Sequence, residues 1–166
     1  MNIFITGVDG FLGSNLAKFH LDRGDNVTGV DQQAAHQLIH CSPLLTLRHF
    51  RYFQMDLSQA HDYNGRLKDI ELVYHFAAKV GVFEELKHPE EVLNTNINAT
   101  AHLLKAIVKE AKDAKVILAS SSEVYGGRLG LCREAHESPH FLKTQKKAFP
   151  IRLTLQKFVK SIQYFS

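Results

Sequence analysis

The feature that limits this chain most stands at its start. The apolar run Asn2-Ile3-Phe4-Ile5-Thr6 leads into Gly7-Val8-Asp9-Gly10-Phe11-Leu12-Gly13, and apolar residues then recur at helical spacing at Phe11, Leu12, Leu16, Ala17, Phe19 and Leu21, up to Arg23-Gly24-Asp25. This predicts a strand, a tight turn, a helix and a glycine stop. The alternation continues. Asn26 to Asp31 is a second strand, Arg51 to Met55 a third, Glu71 to Phe76 a fourth and Lys115 to Ser120 a fifth. Gln32 to His49 is irregular, with Cys41-Ser42-Pro43 breaking any helix. Pro89 to Lys112 is helical, with an apolar stripe of Leu103, Leu104, Ile107, Val108 and Ala111. Strands of continuous apolar character separated by helices predict a parallel sheet covered on both faces. The expected fold is therefore α/β, a doubly wound parallel sheet in three α/β/α layers. In such sheets ligands lie beyond the carboxyl ends of the strands, at the point where strand order reverses.

Each strand end carries something that suits a ligand. Gly7 permits the tight turn, Gly10 lets backbone N–H groups approach a pyrophosphate, and Gly13 lets the helix pack close to the sheet, so that a phosphate faces the helix's positive end. Asp31 ends the second strand about twenty residues on, where a carboxylate accepts hydrogen bonds from both hydroxyls of an adenosine ribose. A 2′-phosphate there would meet repulsion of about 4 kcal/mol per unit charge at about 4 Å in a partly screened site. No arginine follows at once to offset it. The expected cofactor is NAD.

Composition agrees with one ordinary globular domain: 166 residues, 45% hydrophobic and 22% charged. Residues 1–127 are read as the dinucleotide-binding core, and 128–166 as a basic tail whose terminal helix, Leu153 to Phe165, completes the same domain. Cys41 and Cys132 form no recognisable framework, so a reducing cytoplasm and inert thiols are expected. No apolar run approaches the roughly 18 residues of a membrane span, and the start lacks a signal-peptide pattern. After Gly127, eight Lys or Arg face two Glu, which makes that stretch +6 and the first 127 residues −3. This is read as a solvated or nucleotide-facing basic surface, since no nucleic-acid-binding motif accompanies it. The ten histidines are read as carrying no metal-site pattern, and no metal is expected.

The glycine turn, Asp31, Asp56-Leu57, His75-Phe76-Ala77-Ala78, Thr95-Asn96 and Ser120-Ser121-Ser122-Glu123-Val124-Tyr125-Gly126 occur in an order that resembles the NAD-dependent epimerase/dehydratase family, extended short-chain dehydrogenases that modify nucleotide sugars. The resemblance covers residues 1 to about 127 and implies a Rossmann-like fold. It also implies that Phe11 and Leu12 join the glycines at the cofactor, that Asp56 holds the adenine amino group and that Leu57 packs beside that ring. Ala77, Ala78 and Lys79 would line the phosphate path, with Asn96 nearby. Ser121 would bond the sugar hydroxyl undergoing oxidation. Ser122 and Glu123 would face nicotinamide and sugar, with Glu123 a base or polar anchor. A UDP-sugar is the implied partner. The family pairs subunits through helices around Pro89 to Lys112 and Leu153 to Phe165, which implies a homodimer.

The chain departs from the family at its Tyr-x-x-x-Lys pattern. Leu153-Thr154-Leu155-Gln156-Lys157 matches the lysine at Lys157 but has leucine in the place of the tyrosine, and leucine has no proton to exchange. Ala99 also replaces the glycine of Asn-x-x-Gly-Thr. The chain is roughly half the length of relatives, whose C-terminal substrate portion is expected to be absent here. Two readings therefore stand: a UDP-sugar 4-epimerase or decarboxylase-like enzyme, and a catalytically impaired NAD-binding or dimerising remnant.

Overall fold

The computed structural model describes residues 1–59, 63–81 and 86–120. Five strands, β1 (Asn2–Thr6), β2 (Asn26–Asp31), β3 (Phe50–Gln54), β4 (Leu72–His75) and β5 (Lys115–Leu118), form one sheet. All four pairings are parallel and the order is β3-β2-β1-β4-β5. The order reverses between β1 and β4, so their carboxyl ends open a crevice at the switch point. Helix α1 (Phe11–Asp22) connects β1 to β2, and α2 (Pro89–Glu110) lies between β4 and β5. The predicted doubly wound sheet is what forms, with strand bounds that differ from expectation by one or two residues.

Successive residues of β1 serve opposite faces. Ile3 and Ile5 join Val8, Ala17, Val27 and Tyr74 in the core on one side, whereas Phe4 joins Val30, Val73, Leu103, Ile107 and Val116 on the other. Both faces are buried, which is why the strands read as unbroken apolar runs. The irregular stretch after β2 holds two short 3-10 turns, Ala35–Gln37 and Ser42–Thr46. Pro43 does not prevent the second, because near the first position of a helical turn it gives up no needed N–H.

Two expectations about helix faces need correction. Phe11 and Phe19 are 70% and 52% exposed, and the buried positions of α1 are Gly13, Ser14, Ala17 and His20. At its amino end α1 lies so close to the turn that a Cβ on Gly13 would meet the Gly7 and Val8 backbone, while Leu16 and Leu21 pack partly buried against the core as expected. On α2, Leu103, Ile107 and Ala111 are buried as expected, but Val108 is exposed. The Ser121 to Gly126 stretch, the tail and the helix expected from Leu153 to Phe165 lie outside the described residues.

Candidate functional site

A cleft of about 510 Å³ opens at the switch point. Gly7, Gly10, Asp31, Asp56, Leu57, Ala77, Ala78, Lys79 and Asn96, all expected site residues, line it. Gln32, Met55, Ser58, Phe76, Val80, Glu91, Thr95 and Ala99 complete the lining. No side-chain signal marks Gln32, Met55 or Phe76 as ligand-facing. Their positions follow from being at or just past the ends of β2, β3 and β4.

The glycine turn is built by close approaches. Gly7 has φ +67°, and a Cβ on it would stand 2.7 Å from the backbone N of Ala77. A Cβ on Gly13 would stand 2.2 Å from the Gly7 carbonyl oxygen. Gly13 thus acts beneath the turn, seating α1. Gly10 caps α1 with no side-chain hydrogen bond, so the first N–H groups of the helix, at Phe11 and Leu12, are presented at the mouth of the turn. An uncapped helix start beside a glycine at the cleft is a receiver for an anion.

Asp31 ends β2 with its carboxylate held in place. The Asp9 N–H donates to Oδ2 at 3.1 Å and the Gln32 N–H to Oδ1 at 2.8 Å. The Tyr52 hydroxyl is directed at the carbonyl oxygens of Asp31 and Gln33, fixing the backbone there. Asp56 Oδ1 accepts from the Ser58 N–H and hydroxyl, as a loop-initiating Asp does, while the residue still faces the cleft.

Asp9 is a residue of the turn that no local pattern singles out. It is buried and accepts the N–H groups of Ile39, His40 and Cys41 at 2.9, 2.8 and 2.8 Å. Burial alone would raise its pKa, but the three backbone donors outweigh it and hold the carboxyl below its usual range. The same surroundings act on Cys41 in the other direction: burial, then the neighbouring Asp9, push its thiol up to about 12. It is an inert thiol, as expected.

The opposite wall rests on a chain of hydrogen bonds. Thr6 Oγ1 accepts the N–H groups of Phe76 and Ala77, each at 3.1 Å, so its own hydroxyl donates to His75 Nδ1 at 2.7 Å. That assigns the ring proton to Nε2, which donates to Thr100 Oγ1 at 3.1 Å, and the Thr100 hydroxyl donates to the Asn96 carbonyl at 2.9 Å. Burial pushes the His75 pKa down to about 4, so the ring is neutral. Asn96 turns its side-chain amide on the backbone of Lys79, accepting its N–H at 2.7 Å and donating to its carbonyl at 2.9 Å. Lys79 Nζ meets Glu91 at 2.6 Å. Asn96 is thus a holder of the 79 backbone at the cleft edge.

Contrary to the expectation of no metal-site pattern among the histidines, two pairs have i, i+4 spacing: His36 with His40, and His136 with His140, the latter with Glu137 between them. His36 and His40 sit on a 3-10 turn and the segment after it, so they lack the shared α-helical face such a pair needs. The second pair lies outside the described residues, as do Ser121, Ser122, Glu123, Leu153 and Lys157. No group of three His, Cys, Asp or Glu suited to a metal occurs among the described residues. No helix among them is long and apolar enough to cross a membrane.

A parallel sheet of this order with a glycine turn and an acid at the β2 end defines the Rossmann class of dinucleotide-binding folds. The chain belongs to the family described as GDP-mannose 4,6 dehydratase, whose model matches residues 4–140. It is 31% identical over 131 residues to a UDP-glucuronate 4-epimerase of Thermodesulfobacterium geofontis, covering 75% of this chain and 40% of that one. It is 34% identical over 128 residues to a UDP-N-acetyl-alpha-D-glucosaminuronate decarboxylase of Bacillus cytotoxicus, covering 74% and 37%. Among solved structures, a variant UDP-glucuronic acid 4-epimerase from Bacillus cereus, in complex with UDP-4-deoxy-4-fluoro-glucuronic acid and NAD, matches at TM-score 0.70 and 31% identity, covering 81% of this chain and 45% of that one. The chain spans about two fifths of the length of these curated relatives.

Proposed function

We propose that this chain binds NAD in the switch-point cleft and supplies the cofactor half of a nucleotide-sugar epimerase or dehydratase-type protein, with a UDP-sugar as substrate. The observation that carries this reading is the pairing of an uncapped helix start at Gly10 with an oriented Asp31 on one cleft. In it, Gly10, Phe11 and Leu12 present backbone to the diphosphate and Asp31 accepts both ribose hydroxyls. Asp56 takes the adenine amino group beside Leu57, and Ala77, Ala78 and Lys79 border the phosphate path. NAD, when bound, supplies a hydride acceptor for transient oxidation at C4 of the sugar. Ser121 bonds the sugar hydroxyl, Ser122 and Glu123 face the sugar, and Lys157 holds the nicotinamide ribose. Relatives named for UDP-sugar epimerisation and decarboxylation, and a solved neighbour in complex with NAD, support the assignment.

A second reading is favoured by Leu153, which stands where the family has its proton-transferring tyrosine. On that reading the chain binds NAD and turns over little or no sugar. A homodimer through α2 belongs to both readings, and the exposed Leu93, Ile97 and Val108 on that helix support it.

Titration calorimetry with NAD and NADP tests the cofactor assignment. NAD should bind at least about tenfold more tightly than NADP, and Asp31→Ala should erase most of that preference. No heat with oxidised or reduced coenzyme would overturn it. Incubation with NAD and a panel of UDP-sugars separates the two readings: turnover defeats the second, and binding without turnover supports it. Leu153→Tyr then tests whether that position alone is limiting.

A further inference from the structure

A carboxylate in a glycine turn that faces a diphosphate is an unexpected choice, since its charge opposes the ligand's. The structure resolves the conflict by turning Asp9 away from the cleft. Its side chain is buried, it does not line the cleft, and both oxygens are spent on three consecutive backbone N–H groups, those of Ile39, His40 and Cys41. Those residues follow the first 3-10 turn of a segment with no strand of its own, so their N–H groups need acceptors from elsewhere. The backbone N–H of Asp9, meanwhile, donates to Asp31 Oδ2. A single residue thereby joins the turn, the acid at the end of β2 and the chain that follows it.

We propose that Asp9 is a positioning residue for the adenosine half of a bound dinucleotide, fastening the 39–41 segment to the glycine turn so that Asp31 is held in its diol-accepting orientation. This rests on the cofactor assignment above. Asp9 touches no ligand itself. Its effect is confined to ligands that carry an adenosine, because the wall at Ala77, Ala78 and Lys79 is held separately by Thr6 and Asn96.

The test uses the full chain, with calorimetric titration of NAD, ADP-ribose and nicotinamide mononucleotide against the wild type and Asp9→Ala. The expected result is a loss of about tenfold in affinity, equal for NAD and ADP-ribose, with the mononucleotide unchanged. Ile39→Pro is the second variant, should Asp9→Ala fold poorly. It deletes one of the three donors at a side chain that is 76% exposed, and the preceding Leu38, at φ −66° and ψ 131°, already has the conformation that a following proline requires. It should weaken the same two ligands about threefold. Unchanged NAD affinity in both variants, or equal losses for all three ligands, would overturn the positioning role while leaving the cofactor assignment standing. A wild-type chain that binds neither NAD nor ADP-ribose would overturn both.

Discussion

The two helices that cover this sheet solve the same packing problem in opposite ways. At its amino end helix α1 comes close to the glycine turn through Gly13, with Ser14 and Ala17 buried behind it, whereas α2 buries Leu103 and Ile107 in the core on its side of the sheet. The first contact is set by how closely two backbones approach, the second by how much apolar volume fills the gap between them. The difference has a functional reason: α1 must bring its amino end to the mouth of a turn that receives a diphosphate, and a thick side-chain layer would hold it away. Small residues bring close approach at the expense of tolerance.

The largest expected effect tests that intolerance. In Gly13→Ala the new methyl would stand 2.2 Å from the Gly7 carbonyl oxygen and 2.8 Å from Val8 Cα, both backbone atoms that cannot rotate aside. The substitution should cost about 4 kcal/mol in urea unfolding and abolish NAD binding in the fraction that folds. On the α2 side Leu103→Ala, at a fully buried site, should cost about 3 kcal/mol through the cavity it leaves, and NAD affinity of the folded protein should change less than about twofold. If the two variants lose binding alike, the contrast between the helices is wrong.

This contrast also explains what was legible in the sequence. The five strands and their parallel class, the glycine turn and the acid at Asp31 are legible because they depend on local chemistry: unbroken apolar runs, three spaced glycines, an acid at a strand end. The face of α1 is only partly legible: Leu16, Ala17 and Leu21 pack on the core as their spacing predicts, but hydropathy also favours the exposed Phe11 and Phe19, while the buried Gly13 and Ser14 carry little hydropathy signal. Asp9 and His75 escaped for a related reason. Their roles are defined by partners tens of residues away, at Ile39 to Cys41 and at Thr6 and Thr100, which no spacing rule connects.

The His75 network predicts a pH dependence seated on the β4 side. Its pKa is about 4 in the folded chain against about 6.5 unfolded, so between these values the unfolded state binds more protons. The stabilisation is complete above pH 6.5 and is lost as pH falls toward 4. From pH 7.5 to 5 the loss should be about 2 kcal/mol by urea titration. In His75→Gln, which keeps hydrogen-bonding capacity without titrating, the curve over that range should flatten by the same amount, although the variant starts less stable. An unchanged slope would place the acid sensitivity outside the His75 network.

The smallest effect on folding, and the sharpest separation of the helices, concerns their outer faces. Phe19 on α1 has the Arg23 guanidinium 5.4 Å over its ring, which shields an apolar group on a helix with no assigned partner. Leu93, Ile97 and Val108 on α2 fall within about 60° of one another around the axis at 100° per residue, about 90° from the mean direction of Leu103 and Ile107. A stripe so placed buries nothing in its own sheet. Ile97→Lys should therefore change the unfolding free energy of the monomer by no more than about 0.5 kcal/mol. If α2 pairs two copies, the same substitution places charges against an apolar partner surface, and the dimer seen by sedimentation should dissociate while NAD binding persists. Phe19→Lys should leave the sedimentation profile untouched. A dimer that survives Ile97→Lys but not Phe19→Lys would assign the pairing surface to α1, reversing the outer-face assignment while leaving the inner packing contrast intact.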